Sequence, residues 1–266
     1  MHNTIPKIIH YCWFGNGEKT ALIKKCIDSW KIFLPDYKII EWSEENFDIN
    51  NSNEFVKTAY KERKWAFVSD YVRAFALYEK GGIYLDTDVE IKRPLDKFLN
   101  HGAFSGFESK DYPFTALWGA QKGHKWPELV LKYYKNKSFS TKTNTAIVSS
   151  ILIDYYKINP RLDAKQSLND NIVIYPSSHF CIEIPKNYAV HHFEGSWTDH
   201  KESFKTEINN KYHINNIIQN NYTLRDVSTK FNLRYNSENR EQVLNRLRTK
   251  DIFNYLVLKR FLKINK

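Results

Sequence analysis

Cysteine is scarce: Cys12, Cys26 and Cys181 are the only three in 266 residues. They are too few and too widely spaced for a disulfide framework or a structural zinc site, so a reducing compartment is the expected setting. No apolar run approaches the ~20 residues needed to cross a bilayer, and no charged-then-apolar leader opens the chain. A cytoplasmic protein is expected, or one attached to the inner face of the cell membrane only at its surface. Internal repeats and long low-complexity segments are also missing, and the Asn-rich piece over 209–221 is the nearest thing to a linker.

What is present is a core. Hydrophobic residues make up 42 % and aromatics 15 %, with 17 Tyr, 17 Phe and 7 Trp, which excludes a disordered chain and supplies stacking surfaces. The net charge of +10 is uneven: residues 201–266 carry 14 Lys+Arg against 6 Asp+Glu, whereas 1–200 are close to balanced. Length and charge together suggest a catalytic domain over 1–200 and a basic, mainly helical region over 201–266.

Along the chain, "IPKIIHYCWFG" (5–15) reads as a buried strand entering a glycine loop. "KTALIKKCIDSWKIFL" follows with Leu22, Cys26, Trp30 and Phe33 at helical spacing and Pro35 as its stop, and "DYKIIEW" as a short strand. This β-α-β start implies a parallel sheet with a crossover helix. One long helix is expected over 53–80, with Val68, Val72, Phe75 and Ala76 on its apolar face, closed at Gly81-Gly82. "IYLDTDVEI" (83–91) then alternates as a single strand with Asp86 and Asp88 on one side. "HKWPELVLKYYKN" and "TNTAIVSSILIDYYK" read as helices, "NIVIYPSSHF" as a strand ending in a turn, and "YAVHHFEGSWTDH" as a strand into a histidine-rich loop.

Several side chains are candidates for chemistry. Asp86 and Asp88 end an apolar strand, where open α/β sheets place their ligands, and carboxylates suit Mg²⁺ or Mn²⁺ bridging to phosphate. Taken alone, the pair is also compatible with a solvated turn. Asp70 and Arg73 share a helix face and fit either a surface ion pair or the wall of a pocket for a polar donor. Trp13 is a core aromatic or a stacking platform for a nucleobase. The loop "HHFEGSW" offers His191, His192, Glu194, Ser196 and Trp197, as structural groups, as a third metal ligand, or as a flap over a ligand.

"IPKIIHYCWFG", "CIDSWKIFLPDYKIIEW" and above all "SDYVRAFALYEKGGIYLDTDVEI" resemble glycosyltransferase family 32, whose sugar-binding region contains the D-x-D motif. This group includes capsular polysaccharide enzymes and is distantly similar to the glucosylating domains of clostridial toxins. The resemblance covers roughly residues 5–200. It implies a GT-A type, Rossmann-like mixed α/β sheet flanked by helices, and retaining transfer from a nucleotide sugar with Mn²⁺ or Mg²⁺. By position it implies that Asp86 and Asp88 bind metal and diphosphate, that Asp70 and Arg73 contact the donor sugar, and that Trp13 stacks on the base. His192 would complete the metal site, with Ser196 and Trp197 completing the diphosphate site. The Trp13 region looks closer to the UDP-using branch, and a lipid-linked oligosaccharide in capsule or O-antigen synthesis is the expected acceptor.

Two rival readings share these features. Haloacid-dehalogenase-like phosphatases also end a strand in Asp-x-Asp, which would make Asp86 a nucleophile, but they carry Thr or Val where Glu90 stands here. A nucleic-acid-binding protein would explain the basic tail, yet no reading module accompanies it and nucleic acid is not an expected partner. In "EQVLNRLRTKDIFNYLVLKRFLKINK" (241–266) an apolar stripe runs beside basic residues. That pattern suits a helix docked on the catalytic domain or one lying on an anionic membrane surface.

Overall fold

A computed structural model describes residues 4–109, 111–135, 137–182 and 187–194. The basic region over 201–266, with its expected helical appendage, lies outside the described residues, as do Ser196 and Trp197. The chain opens with β1 (Ile8–Cys12), α1 (Ala21–Phe33) and β2 (Lys38–Trp42). Then come α2 (Glu54–Lys61), α3 (Trp65–Lys80), β3 (Gly82–Leu85) and β4 (Val89–Ile91). After a short turn of 3-10 helix come β5 (Ala103–Gly106), β6 (Leu117–Ala120), α4 (Lys125–Lys135) and α5 (Asn144–Asp154). The last described elements are β7 (Gln166–Leu168), β8 (Ile172–Tyr175), α6 (Ser177–Phe180) and β9 (Ala189–His191).

Seven strands form one mixed sheet in the order β2-β1-β3-β6-β5-β8-β7. The β1–β2, β1–β3 and β5–β8 pairs are parallel, and β6 runs antiparallel between β3 and β5. The strands β1, β2, β3, β5 and β8 therefore all point the same way, and their C-terminal ends gather on one edge. This is the mixed α/β sheet flanked by helices that the sequence led us to expect.

Side-chain alternation splits the core into two layers. On one face Tyr84, Trp118 and Ile174 pack with Val68, Val72, Val130 and Val148 from α3, α4 and α5. On the other, Ile83, Leu85 and Leu117 pack with Trp30 of α1, Phe180 of α6, and Val89, Ile91 and Ala189. Gly119 is required beside Phe104, because a Cβ there would stand 2.1 Å from the Phe104 ring. The buried residues of α1 are Ile23, Cys26, Ser29 and Trp30, so its inner stripe is rotated from the expected one, leaving Leu22 and Phe33 half-buried.

Two expectations need correction. The single helix over 53–80 is two helices, because Arg63 adopts a left-handed φ of 56° and no glycine marks that break. The single strand over 83–91 is also broken. The Val89 N–H donates to the Asp86 carbonyl at 3.0 Å, closing a turn at Asp86-Thr87-Asp88. Asp and Thr favour turns because their short polar side chains compete for nearby backbone groups. Beyond the turn, β4 leaves the main sheet and pairs antiparallel with β9, Val89 opposite His191.

Candidate active site

The loop β3–β4 owes its shape to helix α1. The Trp30 Nε1–H donates to the Val89 carbonyl at 2.7 Å, and the Ile91 N–H donates to Ser29 Oγ at 2.9 Å. These bonds satisfy the outer backbone edge of β4, which would otherwise be open. The far side of the turn is held by the Asp86 N–H, which donates to the Ala116 carbonyl at 3.0 Å.

Helix α3 places Asp70 and Arg73 one turn apart, both almost wholly buried at the end of β3. The Arg73 guanidinium lies 2.9 Å from Asp70 Oδ1 and 3.1 Å from Asp86 Oδ1, and a further N–H donates to Asp86 Oδ2 at 3.3 Å. Its Nε–H donates to the Ser69 carbonyl at 3.3 Å, and its Cζ sits 4.7 Å from the Tyr84 ring centre. Arg73 is thus a brace between two carboxylates, stacked on the strand that carries one of them. Burial disfavours its charge, but Asp86 foremost outweighs that and keeps it protonated. The Asp70 carboxyl is pushed up to about 7 by burial, with Arg73 pulling the other way.

Asp88 is held from a different direction. The Glu194 N–H donates to its Oδ2 at 2.8 Å, the His192 N–H donates to its carbonyl at 3.0 Å, and His191 Nε2 stands 3.4 Å from Oδ1. Burial acts against the ionised form, yet His191 and the Glu194 amide prevail and hold the carboxyl down at about 2. Loss of solvent disfavours the charged form of His191, yet Asp88 prevails and raises it well above the usual imidazole range. The Glu194 side chain closes the strap by accepting from Thr20 Oγ1 at 3.0 Å, at the N-cap of α1.

The expected site residues separate into two groups. Asp70, Arg73 and Asp86 form one connected cluster and Asp88 sits two residues on. His192 faces elsewhere, 2.9 Å from Glu90, which also binds Lys25 and Lys92. The histidine beside the acidic turn is His191, set there by the β4–β9 register, and the sequence pattern alone does not choose between the two. Tyr84 and Glu108 also belong to this neighbourhood and carry no motif. Trp13 follows β1 on the same sheet edge; its Nε1–H donates to the Gly17 carbonyl at 2.8 Å and Lys19 lies 5.1 Å from its ring centre. Beside that loop opens a cleft of about 550 Å³ lined by Gly15, Asn16, Glu44, Tyr60, Lys61, Arg63 and Trp65.

Among the described residues no group of three His, Cys, Asp or Glu side chains is arranged to hold a metal ion. The donor set of the turn, two carboxylates with Asp88 firmly ionised, suits a hard divalent cation that keeps waters or phosphate oxygens as its remaining ligands. No helix among the described residues is long and apolar enough to cross a membrane.

Comparison with known proteins gives this edge a context. Residues 20–105 match the family model described as glycosyltransferase sugar-binding region containing DXD motif. Inositol phosphoceramide mannosyltransferase 3 of Schizosaccharomyces pombe is 35% identical over 131 residues, 45% of this chain and 34% of that protein. Glycosyltransferase L373 of Acanthamoeba polyphaga mimivirus is 26% identical over 232 residues, 79% of this chain and 90% of that one. Mannosyl phosphorylinositol ceramide synthase CSH1 of Saccharomyces cerevisiae is 35% identical over 106 residues, 38% of this chain and 27% of that one. The chain therefore spans about a third or less of the two yeast relatives. Among solved structures, the PaToxG glycosyltransferase aligns with a TM-score of 0.42 and 18% identity, over 57% of this chain and 69% of that one. A glycosyltransferase involved in glycosylation of the major capsid of PBCV-1 aligns at 0.41 and 14%, over 75% of this chain and 100% of that one.

Proposed function

We propose, from the match of residues 20–105 to the glycosyltransferase sugar-binding region containing DXD motif, that this protein transfers a sugar from a nucleotide-sugar donor to a glycan or lipid-borne acceptor. The reaction centre is the edge at the end of β3. The observation that carries this reading is Arg73 joining Asp70 to Asp86 directly beside the Asp86-Thr87-Asp88 turn. Such a site holds acidic side chains fixed where a diphosphate would arrive, with Asp88 kept ionised by His191 and the Glu194 amide.

Asp86 and Asp88 would hold Mn²⁺ or Mg²⁺, which when bound neutralises the charge developing on the departing diphosphate. The chain's own residues do the rest. Arg73 fixes the direction of Asp86; the Glu194 amide and His191 fix Asp88; Asp70 and Trp13 supply contacts to the donor sugar and its base. Asp70, Asp86 and Asp88 are each engaged by a partner and none stands out as a nucleophile, which favours retention through front-face attack over a covalent glycosyl-enzyme. Trapping a glycosylated Asp or Glu by mass spectrometry would overturn that route.

The Trp13 region favours a UDP-sugar, whereas the names of the two yeast relatives carry mannosyl transfer to an inositol phosphoceramide. A thermal-shift and hydrolysis panel of UDP- and GDP-sugars, with and without Mn²⁺, decides between them. Metal-dependent stabilisation by one donor, lost in Asp88→Asn, is the expected result; no response to any nucleotide sugar sinks the reading. The stripe of 241–266 supports peripheral contact with an anionic membrane in capsule or O-antigen synthesis. Liposome flotation should fall when those residues are deleted, and unchanged flotation rejects the membrane contact.

A further inference from the structure

Behind His191 lies a second acid. Glu108 follows β5 and is only 8% exposed, and its Oε2 stands 3.7 Å from His191 Nδ1 while Nε2 of the same ring faces Asp88. That Nδ1 is buried and makes no hydrogen bond. A separation of 3.7 Å exceeds the 2.7–3.2 Å of a hydrogen bond, and a small side-chain rotation closes the difference.

Glu108 and His191 are already linked through Cys181. The Glu108 N–H donates to the Tyr112 carbonyl at 2.9 Å, the Glu108 carbonyl accepts from Cys181 Sγ at 3.6 Å, and the Cys181 carbonyl accepts the His191 N–H at 2.9 Å. Phe193 packs against the imidazole with ring centres 3.8 Å apart. An imidazole so placed has one nitrogen for each carboxylate. Its Nε2 faces Oδ1 of Asp88, the oxygen opposite the one that accepts the Glu194 amide.

We propose that Glu108 is a positioning residue: by taking the Nδ1–H of His191 it keeps Nε2 on Asp88 and fixes the direction of that carboxylate toward the donor. This rests on the reading of the acidic turn as the donor site and adds to it a residue that no motif in the sequence announces. The physical precedent is that groups directly behind a metal's ligands orient them, at a typical cost of 10–100-fold in metal affinity when lost; His191 stands in that place behind Asp88, and Glu108 acts through it.

The test compares full-length Glu108→Ala and Glu108→Gln with wild type by Mn²⁺ titration using electron paramagnetic resonance, by the side-chain ¹⁵N signals of His191, and by melting without metal. Glu108→Ala is expected to weaken Mn²⁺ about 10-fold, the lower end for groups behind a ligand because it acts through His191, with Glu108→Gln, which keeps an acceptor but no charge, in between. The His191 Nδ1 signal should move in both. A Glu108→Gln protein that melts like wild type, with Mn²⁺ affinity and His191 signals unchanged, overturns the proposal; it serves also if the alanine variant fails to fold. If wild type binds no Mn²⁺, the metal reading of the turn falls, and the His191 signals still decide the role of Glu108.

Discussion

Arg73 joins two carboxylates while itself 6% exposed, so its removal strands Asp70 in the core and leaves Asp86 without its brace. Breaking a buried pair by deleting one partner costs about 3–5 kcal/mol. Arg73→Met should therefore lower unfolding free energy by about that much in a urea titration, and Arg73→Lys should retain the charge but lose the two-sided contact. A second residue-scale prediction concerns His10, which no motif marks. Trp42 Nε1–H donates to its Nδ1 at 3.1 Å, so Nε2 carries the proton and donates to the Gly81 carbonyl at 2.8 Å. Burial lowers this imidazole to about 4. The unfolded chain, with its ordinary value near 6.5, takes up the proton first as pH falls. The stability His10 contributes is therefore full above 6.5 and is lost through 6.5 down to about 4. In His10→Gln the slope of unfolding free energy against pH should flatten by up to one proton in that window.

At the scale of elements, β4 depends on helix α1. Ser29→Ala leaves the Ile91 N–H without its acceptor, and an unsatisfied buried donor costs about 1–3 kcal/mol. Hydrogen exchange of the β4 amides should rise in that variant more than exchange of β1. In the sheet, Gly119→Ala drives a methyl into the Phe104 ring, and overpacking of this kind costs about 1–3 kcal/mol. The elements that were legible from sequence share strong periodicity or glycine punctuation: the β-α-β start, the end of α3 at Gly81 and the amphipathic α4. Those that were not lack such signals. The strands β5 and β6, Ala103–Gly106 and Leu117–Ala120, are four residues each and buried on both faces, so nothing alternates. The break at Arg63 comes from a left-handed residue with a full side chain. Likewise the turn at Asp86-Thr87-Asp88 interrupts a pattern that, on alternation alone, continues as a strand.

For the molecule as a whole, strand direction does the assembling. With five strands parallel, Trp13 at the end of β1, the Asp86 turn at the end of β3 and Glu108 just past β5 reach one edge from distant parts of the sequence. The acidic pair, Asp70 and Arg73 could be read as candidates because they fall close together in the chain. The partners that orient them could not, since His191 meets Asp88 only through the β4–β9 register, 103 residues away in numbering. The sequence therefore named the acids and left open what aims them.

The break between β3 and β4 puts the two aspartates on two strand systems, the large sheet and the β4–β9 ribbon packed against it. Asp86 is fastened to the large sheet through Ala116 and Arg73, whereas Asp88 is fastened to the small ribbon through His191 and the Glu194 amide. The gap between the carboxylates is then a calliper whose jaws are a sheet and a ribbon. A substitution that shifts the packing of Val89, Ile91 or Ala189 against the sheet would reset the jaw opening with neither aspartate touched.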